Sequence, residues 1–199
     1  MKTKLLKLMW MAAAAAGCAH AQNSDLGLLL GLSVTHSSVS GVGARTVRTT
    51  VHGGGQINYA IQMHETVAGR LYLELPLIVT GGIRATVAPG SVTSSVGNTI
   101  FFTPGVRWKF SPASRVSFYA AAGGGLGSFH GSFSQVTGPT VVSGVGRRTS
   151  GAFAIGGGVD LRLTRLVSLR GEYRDAMTRR SVDGAVHHSL VMVGVGLHF

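Results

Sequence analysis

The chain has 199 residues, 30 of them glycine, and a formal net charge of +11 from 18 Lys and Arg against 7 Asp and Glu. That length suits one domain. Beyond residue 21 no apolar run approaches 18 residues, which excludes membrane-spanning helices, and apolar content without long runs is what alternating strands produce.

The first element is an export leader. Lys2, Lys4 and Lys7 form a positive segment, Leu8 to Gly17 a short apolar one, and Ala19-His20-Ala21 has small residues at both positions a signal peptidase reads. The expected division is a signal peptide over residues 1–21, cut before Gln22, and a mature domain over 22–199. Gly17-Cys18 resembles the end of a lipoprotein box, although Ala15 stands where leucine is usual. With cleavage after Ala21, the only cysteine leaves with the leader and no disulfide is possible. Losing three leader lysines leaves 15 basic against 7 acidic residues, or +8. Such a surplus favours anionic partners, lipid phosphates or acidic glycans. Export argues against nucleic acid.

The mature segment reads as eight strands. They run over Leu26–Thr35, Gln56–His64, Arg70–Thr80, Thr99–Phe110, Arg115–Phe129, Ala152–Leu163, Val167–Arg174 and Leu190–Phe199. Three connections are short: Glu65–Gly69, Ser111–Ser114 and Thr164–Leu166. Four are long and rich in Gly, Ser, Thr and Val: His36–Gly55, Gly81–Asn98, His130–Gly151 and Asp175–Ser189. Short turns alternating with long loops, an even strand number and strands near ten residues are features of barrels that cross an outer membrane.

Each strand has an apolar face and a small or polar one. Strand three alternates Leu71, Leu73, Leu75, Leu77 and Val79 with Arg70, Tyr72, Glu74 and Thr80. In the last strand Val191, Val193, Val195, Leu197 and Phe199 alternate with Met192, Gly194, Gly196 and His198. A soluble lipocalin-like carrier would share this rhythm with the apolar face turned inward. Three features choose the opposite sense. The apolar faces lack charge over most of their length, as lipid contact requires. The polar faces are loaded with Gly and Ala, which suits a crowded interior. Trp108, Phe110, Tyr173 and Phe199 fall near strand ends beside short turns or the C-terminus, where an aromatic girdle would collect them. The expected fold is therefore an all-β, eight-stranded, antiparallel up-and-down transmembrane β-barrel, closed because an open edge in lipid leaves backbone groups unpaired.

With the leader, the alternating segments and the terminal Val193-Gly194-Val195-Gly196-Leu197-His198-Phe199, the chain resembles the small eight-stranded outer-membrane barrels of OmpA/OmpX type. The resemblance implies a cell outer-membrane location. It also implies that Val193, Val195, Leu197 and Phe199 act as the signal read by the barrel assembly machinery. Ending at Phe199, the chain is not expected to carry the peptidoglycan-binding domain of OmpA itself.

Three groups of residues carry candidate chemistry. Glu74, Arg107, Lys109, Asp160, Arg162, Arg170, Glu172 and Arg174 lie on polar faces and are expected to pair across the lumen, because buried charges need partners. They read as a salt-bridged plug, with a gate or narrow ion path as the alternative. An eight-stranded lumen is just wide enough for side chains to fill. Glycines 123, 125, 127, 156, 158, 194 and 196 leave room there for small water pockets. Second, Arg45, Arg48, Arg84, Arg147, Arg148, Arg179 and Arg180 lie in the long connections, opposed mainly by Asp175 and Asp183. Arginine suits bidentate phosphate contact, so lipopolysaccharide docking is the functional reading. Third, Ser128, His130 and Ser132 share a phase, and His130-Gly131-Ser132 is similar to the His-x-Ser of the lipid A deacylases. No acidic residue follows in the next loop to orient the histidine, so the triad is incomplete.

No cofactor or metal site is expected. Adjacent strand residues such as His187 and His188 point to opposite faces, and Gly53-Gly54-Gly55 lacks the strand–helix context of a nucleotide loop. The expectation is a non-enzymatic monomer with a structural or surface-interaction role, in contact with outer-membrane lipids and lipopolysaccharide. A small-solute channel and a lipid-modifying enzyme are the alternatives.

Overall fold

The computed structural model describes residues 24–41, 44–81, 83–85, 93–112, 114–137, 140–180 and 184–199, with side chains outside 36–50, 83–96, 131–143 and 179–185. The leader, with Cys18 and the cleavage site, lies outside the described residues.

Ten β segments run in chain order: β1 (Ser24–Gly41), β2 (Ala44–Thr66), β3 (Gly69–Thr80), β4 (Ile83–Ala85), β5 (Thr93–Phe102), β6 (Gly105–Phe110), β7 (Val116–Thr137), β8 (Thr140–Arg162), β9 (Val167–Arg180) and β10 (Gly184–His198). They make eight staves, since β5 and β6 are one stave interrupted at Thr103-Pro104 and β4 only extends the β5 edge. Proline has no backbone N–H to donate, which explains the interruption; its carbonyl still accepts from Gly124 N at 3.0 Å.

Each stave pairs antiparallel with its chain neighbours, and β1 pairs with β10 from Asp25↔His198 to His36↔His187, so the sheet closes on itself. The seam ends on the terminal residue, where Phe199 N donates to Ser24 O at 2.9 Å and Ser24 N to Phe199 O at 3.2 Å. The short turns are built as the sequence suggests. Thr164 Oγ1, for example, accepts from Leu166 N and Val167 N at 3.2 and 3.0 Å, a hydroxyl taking the place of a turn carbonyl.

The strands are longer than expected at one end. The segments read as long loops, His36–Gly55, His130–Gly151 and Asp175–Ser189, are largely strand. The β1–β2 ladder reaches Gly41↔Ala44, β7–β8 reaches Thr137↔Thr140, and β9–β10 reaches Arg180↔Gly184. Ser, Thr and Val support an extended backbone, but without an apolar face these stretches carry no burial period.

The two faces are opposite in character. Leu30 is 74% exposed and Val193 64%, whereas Arg107 and Arg170 are fully buried. The apolar side chains form a belt around the outside and the charges fill the lumen, which overturns the lipocalin-like alternative.

Candidate functional site

The lumen has two layers. At the short-turn end, inward phase on five segments delivers eight ionisable side chains that join in one path of alternating sign. Lys109 Nζ meets Asp160 Oδ2 at 2.6 Å, and Asp160 Oδ1 accepts from Arg170 Nε at 2.6 Å. Arg170 Nη2 reaches Asp25 Oδ2 at 2.6 Å, which also accepts from Arg107 Nη1 at 3.2 Å. Arg107 Nη2 continues to Glu74 Oε1 at 3.3 Å, Glu74 takes Arg174 Nη2 at 2.7 Å, and Arg174 Nε ends the path on Glu172 Oε1 at 2.7 Å. Four carboxylates thus face four cations, all nearly inaccessible to solvent. Buried charges persist only when paired and hydrogen-bonded, and here every charge is paired.

Neutral groups complete the layer. Glu172 accepts from Gln56 Nε2 at 3.0 Å and Tyr119 Oη at 2.7 Å, and Asn58 Nδ2 donates to Glu74. The Tyr119 ring lies near two guanidinium groups, 5.0 Å from Arg107 and 5.4 Å from Arg170. An aromatic ring attracts a cation near its face, and the Asp25 oxygen that both arginines share offsets their like charge. His198 Nδ1 lies 3.5 Å from Asp25 Oδ2, so all eight staves contribute to the layer.

Some lumen glycines make room for large side chains, whereas Gly123, Gly125 and Gly194 lie against the backbone of the neighbouring strand. A Cβ at Gly158 would fall 2.5 Å from Tyr119 Oη, and one at Gly27 would fall 2.9 Å from Arg170 Nη1. At these two positions the missing methyl is space that Tyr119 and Arg170 occupy.

Toward the hairpin end the lumen turns apolar. Leu29, Ile78, Phe101, Leu190 and Met192 pack with Ala152, Ala154 and Ala176, and Phe129 adds to them. Phe101 and Phe129 meet edge to face at 5.9 Å. His188 tops this layer, its ring centroid 5.0 Å from that of Phe101 and its Nδ1 3.1 Å from Thr35 Oγ1.

Seven of the eight expected lumen charges join the network, and Arg162 does not. Its Nη2 donates to Pro112 O at 2.7 Å, bracing a short turn. Asp25 was missed, although it links the two halves of the path. It precedes the first apolar residue of β1 and so reads as a polar leader to the strand. Gln56, Asn58 and Tyr119 were missed as well; the phase of Ile57, Tyr59 and Ile61 against Gln56, Asn58 and Ala60 was the available signal.

The basic residues read as loop arginines lie on strands. Arg45 and Arg48 belong to β2, Arg84 to β4, and Arg179 and Arg180 to β9, with side chains outside the described set. Arg147 and Arg148 sit exposed on β8, where Arg147 Nε donates to Ser128 Oγ at 3.2 Å. His130 faces Arg147 across the ribbon; the Ser132 side chain lies outside the described set. Among the described residues no carboxylate hydrogen-bonds His130.

Tyr173 belongs to the opposite end of the belt from Trp108, Phe110 and Phe199. It lies six residues beyond the start of β9, about 20 Å along the strand. Its hydroxyl donates to Ser189 Oγ at 3.4 Å. Ser189 Oγ in turn donates to Asp175 Oδ1 at 3.2 Å, and Asp175 Oδ2 lies 2.8 Å from His187 Nδ1. This outward polar group gives Asp175 the partners that a carboxylate beside an apolar belt requires. Asp25, Asp160 and His198 offer ligand atoms within 4.8 Å of one another, but Arg170 already bonds both carboxylates, so a metal would have to displace a guanidinium.

Comparison with known proteins places this geometry. The family profile described as "Outer membrane protein beta-barrel domain" matches residues 8–199. No curated protein sequence matches the chain. Among solved structures, Neisserial surface protein A is similar with a TM-score of 0.51 at 16% identity, over 87% of this chain and 97% of that one. Ail, the attachment invasion locus protein of Yersinia pestis, matches with a TM-score of 0.51 at 15% identity, over 89% and 99%. Ail is also solved in complex with the heparin analogue sucrose octasulfate. The outer membrane protease OmpT from Escherichia coli matches with a TM-score of 0.50 at 7% identity, over 90% and 97%.

Proposed function

The chain belongs to the outer-membrane protein β-barrel domain family, and on that footing we propose that it is a non-enzymatic, non-conducting monomer that acts through its outer surface. The observation that carries this reading is the two-layer lumen. Among the described residues, a path of paired charges fills one end of the lumen and an apolar plug the other, which supports a closed tube. Short turns face the periplasm in such barrels, so the charged layer lies on the periplasmic side and the extended hairpins face outward.

Those hairpins carry the basic residues. Arginine on an anionic leaflet favours contact with lipopolysaccharide phosphates, and a sulfated sugar on Ail is a precedent for a polyanion on this architecture. The fold also accommodates a protease, so the non-enzymatic reading rests on the incomplete triad and not on the architecture. Residues 1–21 act as the export leader. Val193 and Val195, outward on β10 with Leu197 in the same phase, and the exposed Phe199 that follows the strand, act as the assembly signal.

The test is conductance in planar bilayers. The wild-type protein is expected to be electrically silent, and stepwise conductance altered by Arg170→Ala would establish the channel instead. Lipid A extracted from cells with and without the protein is expected to be identical; deacylated product lost in His130→Ala would establish an enzyme.

A further inference from the structure

The β7–β8 ribbon has the longest unbroken ladder in the barrel, from Val116↔Leu161 to Thr137↔Thr140. Its outward face changes character within one rung. Leu126, opposite Gly151, ends the continuous apolar run of the belt, Ser128, opposite Thr149, is the first polar contact, and the exposed Val145 stands apart one outward rung beyond Arg147. The next outward rung pairs His130 with Arg147. From Val116 to His130 and from Val145 to Leu161, no outward position of the ribbon is acidic. A basic, hydroxyl-rich strip therefore sits immediately above the lipid-contacting surface and faces sideways.

Arg147 has a defined aim. Its Nε donates to Ser128 Oγ at 3.2 Å, and Ser128 lies one outward rung nearer the belt than His130, the partner of Arg147. The guanidinium is thus drawn down toward the apolar edge, and among the described residues neither terminal nitrogen has a hydrogen-bond partner, which leaves the fork for a bidentate contact. Arg148, the next residue, has the opposite phase. It pairs with Phe129, which packs on the apolar plug, and so stands exposed above the lumen. Two adjacent arginines therefore address two directions, one into the plane of the leaflet and one toward the medium.

We propose that Arg147, oriented by Ser128 and flanked by His130, is a docking site for the phosphate of a phosphorylated outer-leaflet lipid, reached from within the membrane plane. The inference rests on the reading of the hairpins as an anion-contacting surface and assigns one site and one source to it. A lipid-borne phosphate is held at the depth of the belt edge, which is where the Arg147 side chain is drawn. A soluble polyanion approaches from above, where Arg148 stands. Charge-assisted pairing of a guanidinium with phosphate supplies the affinity, and the belt below supplies surface for the acyl chains.

The experiment uses the full chain in phosphatidylcholine nanodiscs doped with bisphosphorylated lipid A or its dephosphorylated form, with retained lipid counted by native mass spectrometry. Wild-type protein is expected to prefer the phosphorylated form, and Arg147→Gln to lower that preference roughly tenfold, the loss of one charge-assisted contact. Arg148→Gln is expected to leave it within about twofold, as for a solvated charge. Ser128→Ala is expected to give an intermediate loss. Equal behaviour of the two arginine variants, or no preference in the wild type, would overturn the site. Sucrose octasulfate titration separates the two levels. If Arg148→Gln weakens it while lipid A retention ignores Arg147→Gln, the lateral site fails and the wider anion reading stands. Indifference of both probes to both variants ends both. A heat-modifiability gel on each variant confirms that the barrel is folded.

Discussion

The two halves of the lumen solve one packing problem in different currencies. At the short-turn end, eight charges alternate in sign from Lys109 to Glu172, with Asp25 joining the two arms. At the hairpin end, Leu29, Ile78, Phe101, Leu190 and Met192 interlock as an ordinary apolar core. Both fill the same narrow tube. The apolar half depends on shape and tolerates a change of chemistry that keeps volume. The charged half depends on pairing and does not tolerate a neutral substitute of the same shape.

The largest expected effect breaks the charged half at a branch. Arg170 serves both Asp25 and Asp160, so Arg170→Ala strips a cation from two buried carboxylates. A loss of about 3–5 kcal/mol is expected in urea unfolding from lipid vesicles. Phe101→Ala breaks the apolar half by leaving a cavity against Ile78 and Phe129, with about 3–5 kcal/mol expected at most. The comparison sharpens with volume-conserving changes. Leu190→Met should cost less than about 1.5 kcal/mol in the same assay, because core packing accepts isosteric swaps.

The smallest effect lies at a short turn, outside both layers. Arg70 bonds Glu65 there at 2.8 Å, and that hydrogen bond, aided by the guanidinium charge, holds the Glu65 carboxyl below its ordinary value of 4.5. A lowered carboxyl contributes above its ordinary range and loses that contribution as pH falls through the lowered value. Arg70→Ala should shift the unfolding midpoint less than any of the other variants, as for an exposed ion pair, while the Glu65 titration, followed by carboxyl NMR, moves up.

Much of this was legible before the structure. Period-two alternation divided each strand into two faces without saying which is inside; the lack of charge on the apolar faces and the Gly and Ala on the polar ones chose the sense that puts Glu74, Arg107, Lys109, Asp160, Arg170, Glu172 and Arg174 in the lumen. It failed where no apolar face exists to mark the period. The hairpin extensions of Ser, Thr, Gly and Val therefore read as loops, and their arginines as loop arginines. Asp25 escaped because the alternation seemed to start at Leu26. The apolar plug escaped because Leu29, Phe101 and Met192 occupy inward positions that the charged residues lower down made look polar throughout. Tyr173 was assigned to the wrong end because its distance from the short turn was not counted along the strand. Pairing partners across the lumen depend on register between staves, which no single strand contains.

The central claim is that the short-turn half is held by charge pairing through Asp25, and Asp25→Asn tests it most directly because it removes charge while keeping shape. Urea unfolding of that variant in lipid vesicles, beside wild type and Leu190→Met, should show a loss of about 3–5 kcal/mol for Asp25→Asn, as expected when buried cations lose their counter-ion. An Asp25→Asn midpoint no lower than that of Leu190→Met would contradict it, and would mean that the strand ladder alone holds the lumen closed.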